Sequence, residues 1–275
     1  MGVIPMLILW PALVAVLIPF LKQDKARRIA VYVGAGGVMV LALALLISWL
    51  SGGGQMVTLY QETELIDHLM MAGEVVLMVL IVCLSIRHRK YPVILLSVGQ
   101  TGLVICSELT QPVEAPCHMA VDCLAMLMCI IAAFVGGLIC IYAVGYMQGY
   151  HHHHTEYQDR SGFFFSMLFL FLAAMFGLVL SENLVWMYFF WEITSVVSFL
   201  LIGYTRTEEA VNNSFRALWM NLLGGFGFAI AIAVAAGTLG TVQLGEVVAA
   251  GAVIPVIMLA FAGLTKSAQL PFSSW

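Results

Sequence analysis

The chain has 275 residues, of which 62% are hydrophobic and only 9% are charged, and its mean hydropathy is +1.02. A soluble globular protein of this length carries far more charge, so the composition indicates an integral membrane protein. The formal net charge of −4 is too small to indicate a nucleic acid or another highly charged polymer as a partner.

Nine apolar segments, separated by Gly, Pro or charged residues, are long enough for spanning helices, which need about 20 mainly apolar residues. In chain order they are 3–21, 29–50, 70–86, 91–108, 119–146, 162–180, 184–204, 215–237 and 251–275. The segments are apolar on every side, whereas the strands of an outer-membrane barrel alternate apolar and polar residues. We therefore predict an all-α, polytopic transmembrane helix bundle of about nine spans.

The N-terminal segment has no basic start and no small-residue cleavage site, so it is predicted to be a spanning helix and not a signal peptide. The basic loop residues all follow odd-numbered predicted helices. They are Lys22, Lys25, Arg27, Arg28, Arg87, Arg89, Lys90, Arg160 and Arg206. By the positive-inside rule these loops are cytoplasmic and the N-terminus lies outside. The predicted location is the cytoplasmic membrane of a bacterium or archaeon.

Cysteine and histidine residues do not indicate a cofactor. Five of the six cysteines fall in apolar segments without a CxxC pair, which is typical of small buried side chains and not of iron–sulfur or haem ligands. The histidine run 151–154 is interpreted as part of a solvated loop, at most weakly metal-binding. We predict no cofactor, no metal site and no redox chemistry within this chain.

Glu192 is the first of two charged residues deep within apolar segments. An ionised side chain at the bilayer centre costs roughly 2.5 to 3.5 kcal/mol, so such residues usually face protein or water and take part in transport. Glu192 lies about 12 Å from the nearer end of its predicted helix, and Ser195 and Ser198 extend a polar stripe that should face other helices. The alternative is a carboxylate that reaches the headgroups from the end of a helix.

Lys266 is the second such residue, and it is followed by Pro271, which should break or bend the helix. The alternative is an amine that snorkels to the cytoplasmic interface. Burial favours the neutral form of both a carboxyl group and an amine, while each charge stabilises the other. If the two helices meet, Glu192 and Lys266 form a switch that loads and releases a proton.

Other polar features are predicted to be structural. Glu74, Glu108 and Asp122 lie near the outer ends of their predicted helices and are interpreted as boundary residues. The LLGGFG motif at 222–227 is interpreted as a site of close helix packing.

The segments that contain the two charges resemble those of a family. FFWEITSVVSFLLIGY and LTKSAQLPFSSW resemble the essential-glutamate and central-lysine segments of antiporter-like membrane subunits. These subunits occur in respiratory complex I, in energy-converting membrane-bound (group 4) hydrogenases and in Mrp-type cation/proton antiporters. VDCLAMLMCIIAAFVGGLICIYAVGYM resembles a further helix of the family. The resemblance covers about 118–275, and it implies that Glu192 and Lys266 take part in proton translocation.

The chain also departs from the family pattern. It has NLLGGFGF where some members carry a carboxylate, and it has extra apolar stretches at 70–86 and 91–108, which look more like the hydrogenase-type relatives. We predict N-terminal transmembrane helices over 1–110 and a proton-translocation repeat over 111–275. Because family members continue into a second repeat, we expect that the sequence ending at Trp275 is a truncated frame, a gene fragment or half of a split subunit.

The resemblance implies a proton- or sodium-translocating subunit of a redox-driven complex, of hydrogenase or NADH:quinone oxidoreductase type. Its partners would be other membrane subunits of that assembly, the lipid bilayer and the transported H⁺ or Na⁺. One alternative is a subunit of an Mrp-type antiporter. An alternative of another class is a structural membrane subunit, or a relic, in which Glu192 and Lys266 only hold helices together.

Overall fold

The computed structural model describes residues 2–59, 64–113, 115 and 117–273, and within them the protein is a set of α-helices. The helices are α1 (Val3–Leu17), α2 (Asp24–Ser51), α3 (Glu64–Arg87), α4 (Tyr91–Thr110), α5 (Cys123–His153), α6 (Ser161–Leu180), α7 (Leu184–Ile202), α8 (Glu208–Leu239), α9 (Leu244–Ala249) and α10 (Val253–Lys266). A 3-10 turn (Ile18–Phe20) follows α1, and there are two short strands, β1 (Val57–Leu59) and β2 (Met119–Val121). The predicted all-α fold class is confirmed.

Each of the nine predicted segments overlaps a helix of the structure. Among the described residues, eight helices are long and apolar enough to cross a membrane: α1 together with the 3-10 turn that follows it, and α2 to α8. The ninth predicted segment corresponds to α10, which has only 14 residues and ends at Lys266. Turns follow over 267–273, so the helix breaks before Pro271, and the predicted endpoint Trp275 lies outside the described residues.

Several helices are longer than the apolar pattern predicts because polar residues cap them. The predicted start of α8 at 215 is wrong, since Thr207 Oγ1 accepts the Ala210 backbone N–H at 3.2 Å and begins the helix there. Glu208 and Glu209 then occupy the first turn, where negative charge complements the helix dipole. The histidine run was predicted to lie in a loop, but α5 continues through His153.

The helices divide into two compact units. Unit 1 comprises Met1–Val57 and Ala120–Leu180, with α1 packed on α2 and α6, and α5 packed on α2 and α6. Small residues allow close approach here: the Trp10 indole N–H donates to the Gly34 carbonyl at 3.0 Å, and Ser166 Oγ donates to the Ala15 carbonyl at 2.6 Å.

Unit 2 comprises Thr58–Met119 and Ser181–Trp275 and contains both residues singled out from the sequence. In it α8 packs on α4, α7 and α10, while α3 packs on α4 and α7. An apolar cluster fills one part of this unit. It consists of Ile81, Val93, Val196, Phe199, Phe215, Leu218 and Leu222. Because α8 contacts three other helices, it determines how closely the polar side chains of unit 2 approach one another.

Candidate functional site

Glu192 lies in the middle of α7 and is buried. The Asn183 side chain caps the start of the helix by accepting the Val185 backbone N–H at 2.8 Å. Eight residues after Leu184, Glu192 is 4% exposed, and its Oε1 has no hydrogen-bond partner among the described residues. The carboxyl group therefore lies among helices, which disagrees with the alternative of an end-of-helix carboxylate that reaches the headgroups.

Lys266 is the last residue of α10, and its ammonium group contacts α7. Nζ donates to Ser195 Oγ at 2.7 Å and to the Trp191 carbonyl at 3.4 Å. It also lies 4.9 Å from the centroid of the Trp191 ring, within the range of a cation–π contact. The helices that carry Glu192 and Lys266 thus meet, which was a hypothesis from sequence alone.

Glu192 and Lys266 are nevertheless not joined as an ion pair. The ion pairs found among the described residues include Arg27–Asp24, His151–Asp159 and His154–Glu156, but none joins Glu192 to Lys266. The ammonium instead binds Ser195, three residues further along α7, whose hydroxyl also donates to the Trp191 carbonyl at 3.0 Å. Both contacts of the ammonium lie beside Glu192 in the chain, since Trp191 directly precedes it and Ser195 follows it by about one helical turn. The role of the two residues in translocation stays a prediction.

Gln100, on α4, is a further polar residue at Glu192, and the sequence analysis missed it. It is fully buried and interacts with Glu192, although neither atom of its amide makes a hydrogen bond of good distance and angle among the described residues. A Cβ added to Gly225 would lie 2.6 Å from Gln100 Oε1 and 2.8 Å from Glu192 Oε1, so both side chains converge on this glycine of α8. In the sequence, Gln100 could have been noticed as a single amide side chain within an apolar helix, because burying an amide without a hydrogen-bond partner is costly.

Gly224 brings α10 close to α8. A Cβ at Gly224 would overlap the hydroxyl of Thr265, which is fully buried and donates to the Ala262 carbonyl at 2.7 Å. Since Thr265 immediately precedes Lys266, this approach positions the lysine beside α7. The prediction that LLGGFG is a site of close helix packing is confirmed.

Glu74 is not a boundary residue, and that prediction was wrong. Because α3 begins at Glu64, Glu74 lies about 15 Å along the helix. It is 3% exposed, and neither carboxyl oxygen has a hydrogen-bond partner in the described chain. By contrast, Asp122 Oδ1 caps α5 by accepting the Ala125 N–H at 2.7 Å, and Glu108 lies two residues before the end of α4, so both lie at helix ends as predicted, and their place at the membrane boundary stays a prediction.

A cavity of about 1060 Å³ lies in unit 2, at the start of α3 and α7 and the end of α4 and α8. We call it the acidic vestibule because its ionisable lining residues are mostly carboxylates. They are Glu64, Asp67, His68, Glu74, Glu108 and His118. The His118 ring stacks on Trp186 with centroids 4.8 Å apart, and the Trp186 indole donates to Asp67 Oδ1 at 2.6 Å.

Burial lowers the pKa of His118, an effect that the negative charge of Asp67 opposes. His118 is therefore mainly neutral at pH 7 and adds little positive charge to the vestibule.

The histidine run 151–154 lies in unit 1, whereas Glu192 and Lys266 lie in unit 2. His151 Nε2 lies 3.4 Å from Asp159 Oδ1, and His154 Nδ1 lies 3.1 Å from Glu156 Oε1. Within the described ranges, no group of three or more His, Cys, Asp or Glu side chains could hold a metal ion. No role is assigned to this run.

Comparison with known proteins supports the resemblance in two segments of the chain. Residues 181–275 match the family model described as "NADH:quinone oxidoreductase/Mrp antiporter, TM", and residues 110–158 match "NADH-Ubiquinone oxidoreductase (complex I), chain 5 N-terminus". The Na(+)/H(+) antiporter subunit A1 of Staphylococcus haemolyticus is 30% identical over 198 residues, which cover 66% of this chain and 23% of that protein. Its counterpart in Staphylococcus saprophyticus is 35% identical over 147 residues, covering 50% of this chain and 17% of that protein. The chain therefore spans less than a quarter of the length of these relatives.

Two solved structures share the fold. The membrane-bound sulfane sulfur reductase, an archaeal respiratory membrane complex, contains a chain that aligns with a TM-score of 0.65 at 14% identity, covering 100% of this chain and 47% of that chain. The Mrp complex from Dietzia sp. DQ12-45-1b contains one that aligns with a TM-score of 0.63 at 19% identity, covering 98% and 24% respectively. The predicted resemblance to antiporter-like membrane subunits is confirmed, and the chain is a multi-pass membrane protein.

Proposed function

We propose that this chain, an antiporter-like membrane subunit by sequence and fold, translocates protons through unit 2, with Glu192 and Lys266 as the groups that change charge. The observation that carries this proposal is the 2.7 Å hydrogen bond from Lys266 Nζ to the hydroxyl of Ser195, which lies three residues after the buried Glu192 on α7. An ammonium in that position can either stay on Ser195 or move toward the carboxylate.

The two positions of the ammonium favour different protonation states of Glu192. When Lys266 rests on Ser195, Glu192 Oε1 has no hydrogen-bond partner among the described residues, and burial favours the neutral, proton-carrying form of the carboxyl group. When the ammonium moves next to Glu192, the ionised form is favoured and the proton is released. Coupling this movement to access from one side and then the other moves a proton across the membrane.

The membrane assembly that contains the chain would determine which other cation is exchanged for protons and which energy source drives transport. The relatives of 30% identity or more described above are named Na(+)/H(+) antiporter subunits, which supports an exchange of Na⁺ for H⁺ within a larger membrane assembly. A redox-driven complex of hydrogenase or complex I type is the second candidate. It is favoured by the fold match over the full chain to a respiratory membrane complex. Either assembly would supply further membrane subunits as partners.

In the proposed orientation, the acidic vestibule opens at the outer face of the cytoplasmic membrane. In unit 2 the vestibule lies at the start of α3, whereas Arg87, Arg89 and Lys90 lie at its other end and Arg206 follows α7. Since basic residues accumulate on the cytoplasmic side, the vestibule opens to the opposite side, and the N-terminus is outside as well.

Replacement of Glu192 by Gln tests the proposal. Gln keeps the shape of the side chain but cannot gain or lose a proton, and a positioned proton-transfer group typically contributes about 100-fold or more. In vesicles containing the chain in its native membrane complex, we expect proton movement in Glu192→Gln to fall about 100-fold, whether Na⁺ or an electron donor starts it. The stimulus that drives proton movement in the unmodified complex identifies the energy source.

Glu209→Gln is the matched control, because Glu209 is exposed in the first turn of α8. It should leave proton movement unchanged, and both variants should assemble to the level of the unmodified chain. Normal transport by assembled Glu192→Gln complexes contradicts the proposal.

A further inference from the structure

We propose that Glu74 is a proton-carrying residue between the acidic vestibule and Glu192. This inference rests on the proposed function, but it concerns a residue of α3 that lies outside both segments matched by the family models. It assigns a role to the two extra helices α3 and α4, which pack on α7 and α8.

Glu74 is the deepest carboxyl group of the vestibule on α3. Asp67, Met70, Met71 and Glu74 all line the cavity, and their spacing of three and four residues places them on one helix face. Glu74 is the last of them along α3, and it is the one whose two oxygens are buried without a hydrogen-bond partner in the described chain. A partnerless buried carboxyl group at the floor of an acidic cavity is suited to accept a proton from it.

The floor of the vestibule adjoins α7 near Glu192. A Cβ added to Gly73, the neighbour of Glu74, would lie 2.7 Å from the Phe189 ring, so α3 and α7 are in close contact at this level. On α7, Val185 lines the vestibule, Tyr188 follows three residues later, and Glu192 is four residues beyond Tyr188. These three residues therefore share one face of α7, in order from the vestibule to the site.

Tyr188 lies close enough to both carboxyl groups to interact electrostatically with each, and Gln100 lies beside Glu192. Tyr188 is fully buried, and its hydroxyl has no hydrogen-bond partner by distance and angle among the described residues. Gln100 converges with Glu192 on Gly225, and it precedes the vestibule residue Ser107 by seven residues, about two turns of α4. A hydroxyl and an amide can orient water for proton transfer without changing charge themselves.

The step is a simple proton transfer. A hydrated proton in the vestibule binds the Glu74 carboxylate, the resulting carboxylic acid gives a proton to the Glu192 carboxylate, and Glu74 is ionised again. The charged or titratable groups around Glu74 are Asp67 and His68 on its own helix, Glu108 on α4, Tyr188 and Glu192 on α7, and His118 in the loop before β2. Three of these six groups are carboxyl groups and none is a Lys or Arg, so the surroundings attract cations and do not provide an ammonium or guanidinium that would fix Glu74 in its charged form.

The test compares Glu74→Gln with Glu74→Asp in vesicles that contain the chain in its native complex. Gln removes the proton-carrying group, whereas Asp keeps it on a shorter side chain. We expect the rate of proton movement to fall about tenfold or more in Glu74→Gln and to recover partly in Glu74→Asp. The pH–rate profile should lose one titration in Glu74→Gln only, and difference infrared spectra should lose one protonated-carboxyl C=O band.

The controls distinguish this inference from the proposed function. Glu209→Gln should behave as the unmodified chain, and the amount of assembled complex is measured for every variant. If Glu192→Gln abolishes transport while assembled Glu74→Gln transports normally with an unchanged pH profile, the inference is wrong and the proposed function stands. If Glu192→Gln also transports normally, both are wrong. If Glu74→Gln does not assemble, an unchanged infrared spectrum and pH profile in the assembled Glu74→Asp variant overturn the inference.

Discussion

Ser195 determines where the Lys266 ammonium rests. Its hydroxyl accepts from Nζ at 2.7 Å while donating to the Trp191 carbonyl at 3.0 Å, and the residue is fully buried. Hydrogen bonds to a charged donor are the stronger ones, worth about 1.5 to 3 kcal/mol. Ser195 therefore stabilises the state in which Lys266 is separated from Glu192.

Replacement of Ser195 by Ala removes this resting position. We expect the ammonium to lie closer to Glu192, so that the carboxyl group holds its proton less well, the pH optimum of proton movement shifts to lower pH and the maximal rate falls. The measurement is the pH–rate profile in vesicles. Ser198→Ala is the matched control, because Ser198 Oγ donates only to the Thr194 carbonyl of its own helix, at 2.8 Å. Identical profiles for Ser195→Ala and Ser198→Ala would contradict this role.

The sequence predicted some of these residues and not others, for physical reasons. Glu192 and Lys266 were detectable because a charge within an apolar segment is conspicuous. Glu74 was misassigned because its depth depends on the start of α3 at Glu64, six residues before the apolar segment begins. Gln100 was missed because an uncharged amide hardly alters the hydropathy of its helix, and only the tertiary approach at Gly225 reveals its neighbour.

At the scale of elements, α8 contributes two adjacent glycines to the site, which let neighbouring helices approach its backbone closely. Its adjacent glycines face different neighbours: Gly224 meets Thr265 of α10, and Gly225 meets Gln100 of α4 and Glu192 of α7. Some family members carry a carboxylate in the corresponding helix, whereas this chain has buried carboxyl groups on α7 and α3. The motif indicated close packing from sequence, but the partners of each glycine depend on the fold.

The orientation of the helices is also testable at this scale. In a cysteine-free background, a cysteine in place of the exposed Glu246, after α8, should react with a membrane-impermeant thiol reagent added outside intact cells. A cysteine in place of the exposed His88, between α3 and α4, should react only after the membrane is opened. This result follows from the basic residues around His88. The reverse labelling pattern would place the acidic vestibule in the cytoplasm.

At the scale of the whole molecule, the two compact units are built from interleaved stretches of the chain. Unit 2 combines α3 and α4 with α7 to α10, so helices from the predicted N-terminal region contribute to the unit that contains Glu192 and Lys266. The boundary near residue 110, between the N-terminal helices and the proton-translocation repeat, stays a prediction. The helical class and the positions of the eight long helices among the described residues could be read from hydropathy, but this grouping could not, because it depends on long-range contacts.

The structural-subunit alternative makes a different prediction for the same residues. If Glu192 and Lys266 only hold α7 and α10 together, apolar replacement of both should preserve assembly and leave the activity of the complex unchanged. If they act as a proton switch, the complex can assemble but cannot transport. The contact through Ser195, without an ion pair, favours the switch because the lysine has a second place to rest.

The most direct measurement is a double-mutant cycle of proton movement with Glu192→Gln, Lys266→Met and the two combined, in assembled complexes. Our account predicts that each single replacement lowers the rate about 100-fold and that the double variant is no slower than either, because both act in one step. Losses that multiply to about 10⁴-fold, or transport that survives the double replacement, would contradict a Glu192–Lys266 switch.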